Sequence, residues 1–220
     1  MSARTLYRLG GLTLMVALPL QVVGLFIHPP HLLQYYAQPT FATSHVLLTL
    51  SEVAATLGIV AAYVRIAQEG GKWALAAFVL NIVTFELLID LTLFEAFGAP
   101  VLERDPVARE VLAPGGYYVN GELGTGGRGI LGTLSVLAAL TLAVAIFRTS
   151  AFPRVTAYLL IASIPLPVIE TLVFLPFLGG PQHRIPQEAI PAPISPLSIG
   201  YYAFFLALGW MGWQLWRRPP

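Results

Sequence analysis

The chain has 220 residues, of which 56% are hydrophobic and only 10% are charged, and its formal net charge is +1. With a mean hydropathy of +0.74, it lies far from soluble proteins, in which about a quarter of residues are charged, and we predict an integral membrane protein. The lack of a Lys/Arg-rich run excludes nucleic acid as a partner, and the lack of cysteine excludes disulfides, thiolate metal ligands and cysteine nucleophiles.

Six segments are apolar and long enough, at about 20 residues, to cross a bilayer core as helices. The first follows Arg4 and Arg8 and has no small-residue cleavage site, so we interpret it as an uncleaved span rather than a signal peptide. In chain order the predicted spans are 10–27, 44–64, 73–97, 129–147, 155–178 and 197–216. The sequence thus predicts an all-α fold, a single domain over residues 1–220 built as an integral membrane bundle of six transmembrane helices.

Lys and Arg concentrate at one set of span ends, and short basic loops stay in the cytoplasm. Both termini are therefore predicted to be cytoplasmic. The richer set of ends holds Arg4, Arg8, Arg65, Lys72, Arg148, Arg154, Arg217 and Arg218, and the poorer set holds Arg104, Arg109, Arg128 and Arg184.

The longest predicted connection is the outer loop 98–128. Its first half has the mixed charge of a short amphipathic surface helix, and its second half, "GELGTGGRG", is typical of a flexible entry to span four. It does not match a phosphate-binding loop, because no strand precedes it and the lysine of that motif is missing.

Five carboxylates lie within the predicted spans, whereas no Lys or Arg lies deeper than a span end. An acid inside a bilayer is unfavourable unless it is paired, so these groups must be protonated, bonded to one another or neutralised by a cation. They are Glu52, Glu86, Asp90, Glu95 and Glu170. Because Glu52, Asp90 and Glu170 each lie about eight residues, or ~12 Å, below an outer span end, we expect them at one level.

Helical periodicity indicates which polar side chains share a face. On span two, His45, Thr49 and Glu52 form one stripe, and on span three Glu86 and Asp90 share a face. A helix that is polar on two faces cannot turn either toward lipid, so we expect span three to be central and its acids to be buried in protein. The opposite face of span three carries Glu95 with Asn81, Thr84 and Thr92.

We predict from these patterns an outward-opening site that binds a cation, either a metal ion or a proton, in what could be a small transporter. The candidate ligands are Glu52, Glu86, Asp90, Glu170 and His45. A divalent metal would use Glu52, Asp90, Glu170 and His45, with His28 as a weaker candidate, because carboxylates with imidazole suit Mn, Fe or Zn. The simplest competing interpretation is a protonated, mutually hydrogen-bonded cluster that only stabilises the bundle.

Three segments, "FIHPPH", "SHVLLTLSE" and "LFEAFGAP", are similar to small multi-span bacterial membrane proteins of unknown function. The resemblance covers most of the chain in hydropathy and these segments in residues. It implies a bacterial plasma (inner) membrane location and no particular chemistry.

Two other functions remain open from the sequence. One is an accessory subunit of a larger complex, since the small residues of "GILGTLSVLAALTLAVA" could pack against partner membrane subunits. The other is an enzyme acting on a lipid or isoprenoid, with an acid and a histidine in acid–base roles. The sequence argues against haem, because only His28 and His45 come near the required geometry and both are shallow. In every case membrane lipids are expected to surround the chain.

Overall fold

The computed structural model describes residues 2–30, 33–112, 127–165, 168 and 196–217, and every regular element within these ranges is helical. The α-helices described are α1 (Ala3–Ile27), α2 (Leu33–Tyr36), α3 (Pro39–Leu93), α4 (Ala99–Arg104), α5 (Gly127–Phe147), α6 (Arg154–Ala162) and α7 (Pro196–Arg217). A π-helical turn, Phe94–Gly98, joins α3 to α4, and a 3₁₀ turn covers Ala108–Val111. The predicted all-α fold is confirmed for this part of the chain.

The first helix begins and ends at local signals in the sequence. Ser2 caps α1, and its side chain accepts a hydrogen bond from the Thr5 N–H at 3.2 Å. The helix stops before His28, which is extended, as expected for a residue that precedes proline. The predicted span 10–27 is therefore the more apolar part of a longer helix.

Helix α3 is a hairpin bent at Gly71. A straight helix of its 55 residues would be about 80 Å long, but Gly71 has φ 50° and ψ −133°, a conformation that favours glycine. Tyr63 stacks on Phe78 with ring centroids 4.4 Å apart, and the Thr49 hydroxyl donates to the Thr92 hydroxyl at 2.8 Å. Because residues equally far from the bend meet, the first arm (39–70) and the second arm (72–93) are antiparallel.

Helix α1 crosses α7 closely and in the opposite direction. A Cβ atom on Gly11 would lie 2.6 Å from the Gly212 carbonyl oxygen, and one on Gly209 would lie 3.4 Å from Leu18. Residues near the start of α1 therefore contact residues near the end of α7. Glycines at the crossing allow the two backbones to approach this closely.

The first arm of α3 packs against α1 in the same antiparallel manner. A Cβ on Gly58 would lie 2.9 Å from the Gly10 carbonyl oxygen, and the buried Ser51 hydroxyl donates to the Ala17 carbonyl at 2.7 Å. Helix α1 is thus held between the first arm and α7.

Helix α5 runs antiparallel to the second arm of α3. The Asn81 side-chain amide donates to the Ala138 carbonyl at 3.3 Å, and the Ser150 N–H donates to the Glu69 carboxylate at 2.8 Å. Together these directions place the start of α1, the end of α7 and the Gly71 bend at one end of the bundle. We call this the terminal end (2–8, 65–72, 148–154 and 213–217), and the opposite end, formed by 27–30, 33–45 and 94–112, the loop end.

The terminal end carries basic residues stacked on aromatic rings, each with its guanidinium carbon between 5.2 and 5.9 Å from a ring centroid. Such cation–π pairs combine a charge with an amphipathic ring, as is typical at a membrane surface. The pairs are Arg8 with Trp216, Arg65 with Phe152, Arg148 with Trp73, and Arg217 with Trp213. These four arginines therefore lie at one end of the described helices.

Two helical stretches are long and apolar enough to cross a membrane, Ala3–Ile27 and Pro39–Arg104, and Leu131–Phe147 is a shorter apolar helix. The predicted span 44–64 falls on the first arm, and the predicted span 73–97 falls on the second arm and the π turn, with the non-helical Gly71 between them. Spans 129–147 and 197–216 fall on α5 and α7. The predicted span 155–178 is helical over Arg154–Ala162, and its part from 169 onward lies outside the described residues, as does 113–126 of the predicted loop 98–128.

Candidate functional site

A buried contact between His45 and Glu95 lies at the loop end of the bundle. His45 Nε2 is 2.9 Å from Glu95 Oε2, and the two side chains are only 1% and 5% exposed. His28 Nε2 lies 3.1 Å from the same His45 nitrogen. Both His28 and Glu95 therefore contact the same nitrogen of His45, Nε2.

Three separate elements bring these side chains together. His28 follows the last residue of α1, His45 lies near the start of the first arm, and Glu95 lies in the π turn that ends the second arm. In that turn the Ala99 N–H bonds to the Phe94 carbonyl, five residues back. A π turn rotates later side chains about the helix axis relative to an α-helix, and such turns are frequent at functional sites.

The hydrogen bond on the far side of the His45 ring shows where its protons lie. His45 Nδ1 is 2.7 Å from the Phe41 carbonyl oxygen, and a carbonyl can only accept, so Nδ1 carries a proton. In a neutral ring, Nε2 would then present a lone pair to Glu95. An ionised Glu95 carboxylate would also present a lone pair to His45, and two facing lone pairs repel each other. A proton must therefore lie between His45 and Glu95, held either by the imidazolium or by the carboxyl group.

A second polar contact joins the two arms deeper in the bundle. Thr49 Oγ1 donates a hydrogen bond to Thr92 Oγ1 at 2.8 Å, and Thr92 Oγ1 donates one to Glu52 Oε2 at 2.9 Å. Glu52 is 3% exposed, and in the described ranges no Lys or Arg forms an ion pair with it. The predicted stripe of His45, Thr49 and Glu52 on one face is thus observed, and that face is buried against the second arm.

A small apolar cluster encloses the site at the loop end. It consists of Tyr36, Phe41, Ala99 and Leu112, each at most 1% exposed. The Phe41 ring also packs on His45, with centroids 4.2 Å apart. His45 and Glu95 are buried, and His28 is partly exposed, although its Nδ1 atom is buried.

The acids Glu86 and Asp90 do not belong to this site. Both side chains are exposed, so the expectation that they are buried in protein is wrong. Each residue advances an α-helix by about 100°, and the face of the second arm that meets the first arm is the one carrying Thr92 and Glu95. The contact of Thr49 with Thr92 agrees with the predicted common level of Glu52 and Asp90, but Asp90 is exposed and does not face Glu52. Glu170, the third member of that level, lies outside the described residues.

The structure gives no support to the predicted metal site. No group of three or more His, Asp or Glu side chains in the described ranges is arranged to hold a metal ion. Of the predicted ligands, His45 and His28 are in contact, Glu52 lies deeper with Thr92, and Asp90 is exposed.

Glu95 is the site residue that the sequence candidates omitted. It lies near a predicted span end, where a long side chain can reach the interface, so an exposed and a buried position were equally compatible with the sequence. The signal that identifies it is its helical face, shared with Asn81, Thr84 and Thr92, all of which are buried. A face that is polar over several turns of an apolar helix indicates contact with another polar face.

Comparison of the chain with family models, with curated proteins and with solved structures gave no match. The resemblance to small multi-span bacterial membrane proteins therefore stays a prediction. The case for a function rests on the geometry of the site, above all on the contact between His45 and Glu95.

Proposed function

We propose that this chain is a six-span protein of the bacterial plasma membrane that binds a proton at His45 and Glu95 and serves as a small proton-coupled transporter. The observation that carries the proposal is the hydrogen bond from His45 Nδ1 to the Phe41 carbonyl, which directs Nε2 at Glu95. Two buried groups that require a proton between them form a site at which a proton can be gained and lost.

The arrangement of the helices supports a membrane-spanning bundle. The two arms of α3 and helices α1, α5 and α7 run alternately between the terminal end and the loop end, and α6 begins at the terminal end. Arg and aromatic residues concentrate at the terminal end, as expected of a cytoplasmic surface. The site would then open away from the cytoplasm.

The shared His45 nitrogen supports proton transfer among the three side chains. His28 Nε2 lies 3.1 Å from His45 Nε2, and its lone pair would take up the proton that His45 and Glu95 share and later return it. Imidazole is suited to this role because its ordinary pKa lies within the physiological range. Glu52, bonded to Thr92, would be the next acceptor toward the bundle centre.

Nitrogen NMR of histidine-labelled protein in lipid bilayers tests the proposal, followed between about pH 5 and about pH 8. We expect His45 Nδ1 to carry the proton that it donates to Phe41, and the Nε2 signal of His45 to change in Glu95→Gln, because the carboxyl group that shares its proton is replaced. Glu86→Gln, which removes an acid from the exposed face of the same arm, is the matched control and should leave the Nε2 signal as in the unmodified protein.

Two results would overturn the proposal. One is an identical His45 Nε2 signal in Glu95→Gln and Glu86→Gln, which would show that His45 and Glu95 share no proton. The other is near-stoichiometric metal, measured by elemental analysis of chelator-free protein and lost in His45→Gln, which would assign the site to a metal ion.

A further inference from the structure

Among the described residues, no other helix covers one face of the second arm of α3, and on this face two acids lie between apolar residues. Glu86 and Asp90, one helical turn apart, are both exposed. The apolar residues on the same side of the arm and of the π turn after it are each between 41% and 61% exposed. They are Val79, Val83, Leu87, Leu93 and Phe97. The face is thus a continuous apolar strip with a pair of carboxyl groups within it.

These acids lie at a depth where lipid is a poor environment for them. Glu86 is about 20 Å along the helix from Trp73 at the terminal end, and about 13 Å from Glu95 at the loop end. The side chains of Glu86 and Asp90 form no hydrogen bond or ion pair with another described residue. An acid at this depth is expected to face a partner or a polar cavity rather than hydrocarbon.

A second copy of this chain cannot neutralise the pair with a base at the same depth. The sequence has no Lys or Arg between Arg8 and Arg65, between Lys72 and Arg104, or within 129–147, 155–183 and 185–216. A symmetric contact between two copies through this face would also place acids opposite acids. Charge complementarity therefore favours a helix from a different protein over a second copy of this chain.

We propose that this face, defined by Glu86, Asp90 and the exposed apolar residues beside them, is the docking surface for a membrane helix of another protein that carries Arg or Lys at the matching depth. Apolar contact along the strip and a charge-assisted hydrogen bond to the acids would act together, which gives both affinity and register. The inference rests on the membrane-spanning arrangement proposed above and is independent of proton binding at His45.

Fluorescence transfer in liposomes tests this surface with defined peptides. The chain lacks cysteine, so Arg4→Cys supplies a single labelling position at the exposed start of α1. The probes are two labelled leucine-rich helices of about 20 residues, identical except for one Arg placed to match Glu86. We expect the Arg peptide to associate with the full chain about tenfold more tightly than the all-leucine peptide.

Charge variants identify the binding face. Glu86→Gln with Asp90→Asn should remove the preference for the Arg peptide, whereas Glu52→Gln, which changes a buried acid, should retain it. Equal association of the two peptides with the unmodified chain would overturn the proposal, as would a preference that survives the double variant.

Tighter association after Arg184→Gln would assign the face to this chain's own Arg184. Self-association lost in the double variant would assign it to a second copy, and either result would also overturn the proposal.

Discussion

The two faces of the second arm of α3 carry acids in opposite environments. Glu95 is 4% exposed and contacts His45, whereas Glu86 and Asp90, less than three turns away, are exposed. All three lie in the same apolar run and differ in angular position about the helix axis. Depth in a predicted span is therefore a weaker guide to the role of an acid than the face it occupies.

The largest expected contrast between the two faces comes from truncating one acid on each. Glu95→Ala should lower the free energy of unfolding by about 3–5 kcal/mol, because it removes the carboxyl group that shares a proton with the buried His45 ring. Glu86→Ala should leave the free energy of unfolding unchanged or raise it, because it removes an acid from an apolar strip. Unfolding in mixed micelles with increasing denaturing detergent measures both values, and similar losses for the two variants would contradict the contrast.

A smaller effect is expected within the buried face itself. Thr92→Val keeps the shape of the side chain but removes the hydroxyl between Thr49 and Glu52, so we expect a loss of about 1–3 kcal/mol. Thr84 is the matched control, because its hydroxyl donates only to the Leu80 carbonyl of its own helix. The same unfolding assay should show a clearly smaller loss for Thr84→Val, and an equal loss would mean that the bonds between arms add nothing.

The smallest effect is expected at Asp105, an acid beyond the end of the second arm. Its carboxylate accepts hydrogen bonds from the N–H groups of Ala108 and Val107 at 3.1 and 2.8 Å, and these bonds lower its pKa. A lowered pKa means that the stabilisation is present above the unfolded-state pKa and is lost as the pH falls through the folded-state value. Carbon NMR of the Asp105 carboxyl in micelles should give a midpoint below the usual value of about 3.9, and a midpoint at or above it would contradict the assignment.

Much of the helical architecture could be predicted from hydropathy and charge alone. The predicted spans 10–27, 129–147 and 197–216 fall within α1, α5 and α7, because a run of apolar residues with polar ends specifies a helix locally. The grouping of basic residues at the terminal end was also predictable. The form of the connection between the two arms of α3 could not be predicted. Gly71 alone makes the bend, whereas "EGGK" is equally compatible with a longer loop.

The site could be predicted only in part. The stripe of His45, Thr49 and Glu52 follows from helical spacing, since residues three and four apart share a face. Spacing does not show which of two polar faces on one helix meets a neighbour, and this is why Asp90 was preferred to Glu95. The contact of His28 with His45 depends on where α1 ends relative to the first arm, which no local pattern contains.

By itself, the sequence determined that the chain forms apolar helices, which ends carry the basic residues, and that acids lie within the apolar runs without a base among them. These are local properties, set by hydropathy, helical period and the positions of charges. Only the tertiary structure decided that Glu95 and Glu52 face the interior while Glu86 and Asp90 do not. The physical reason is that burial depends on the rotation of each helix relative to its neighbours. That rotation is set jointly by close glycine contacts, the bend at Gly71 and the π turn at Glu95.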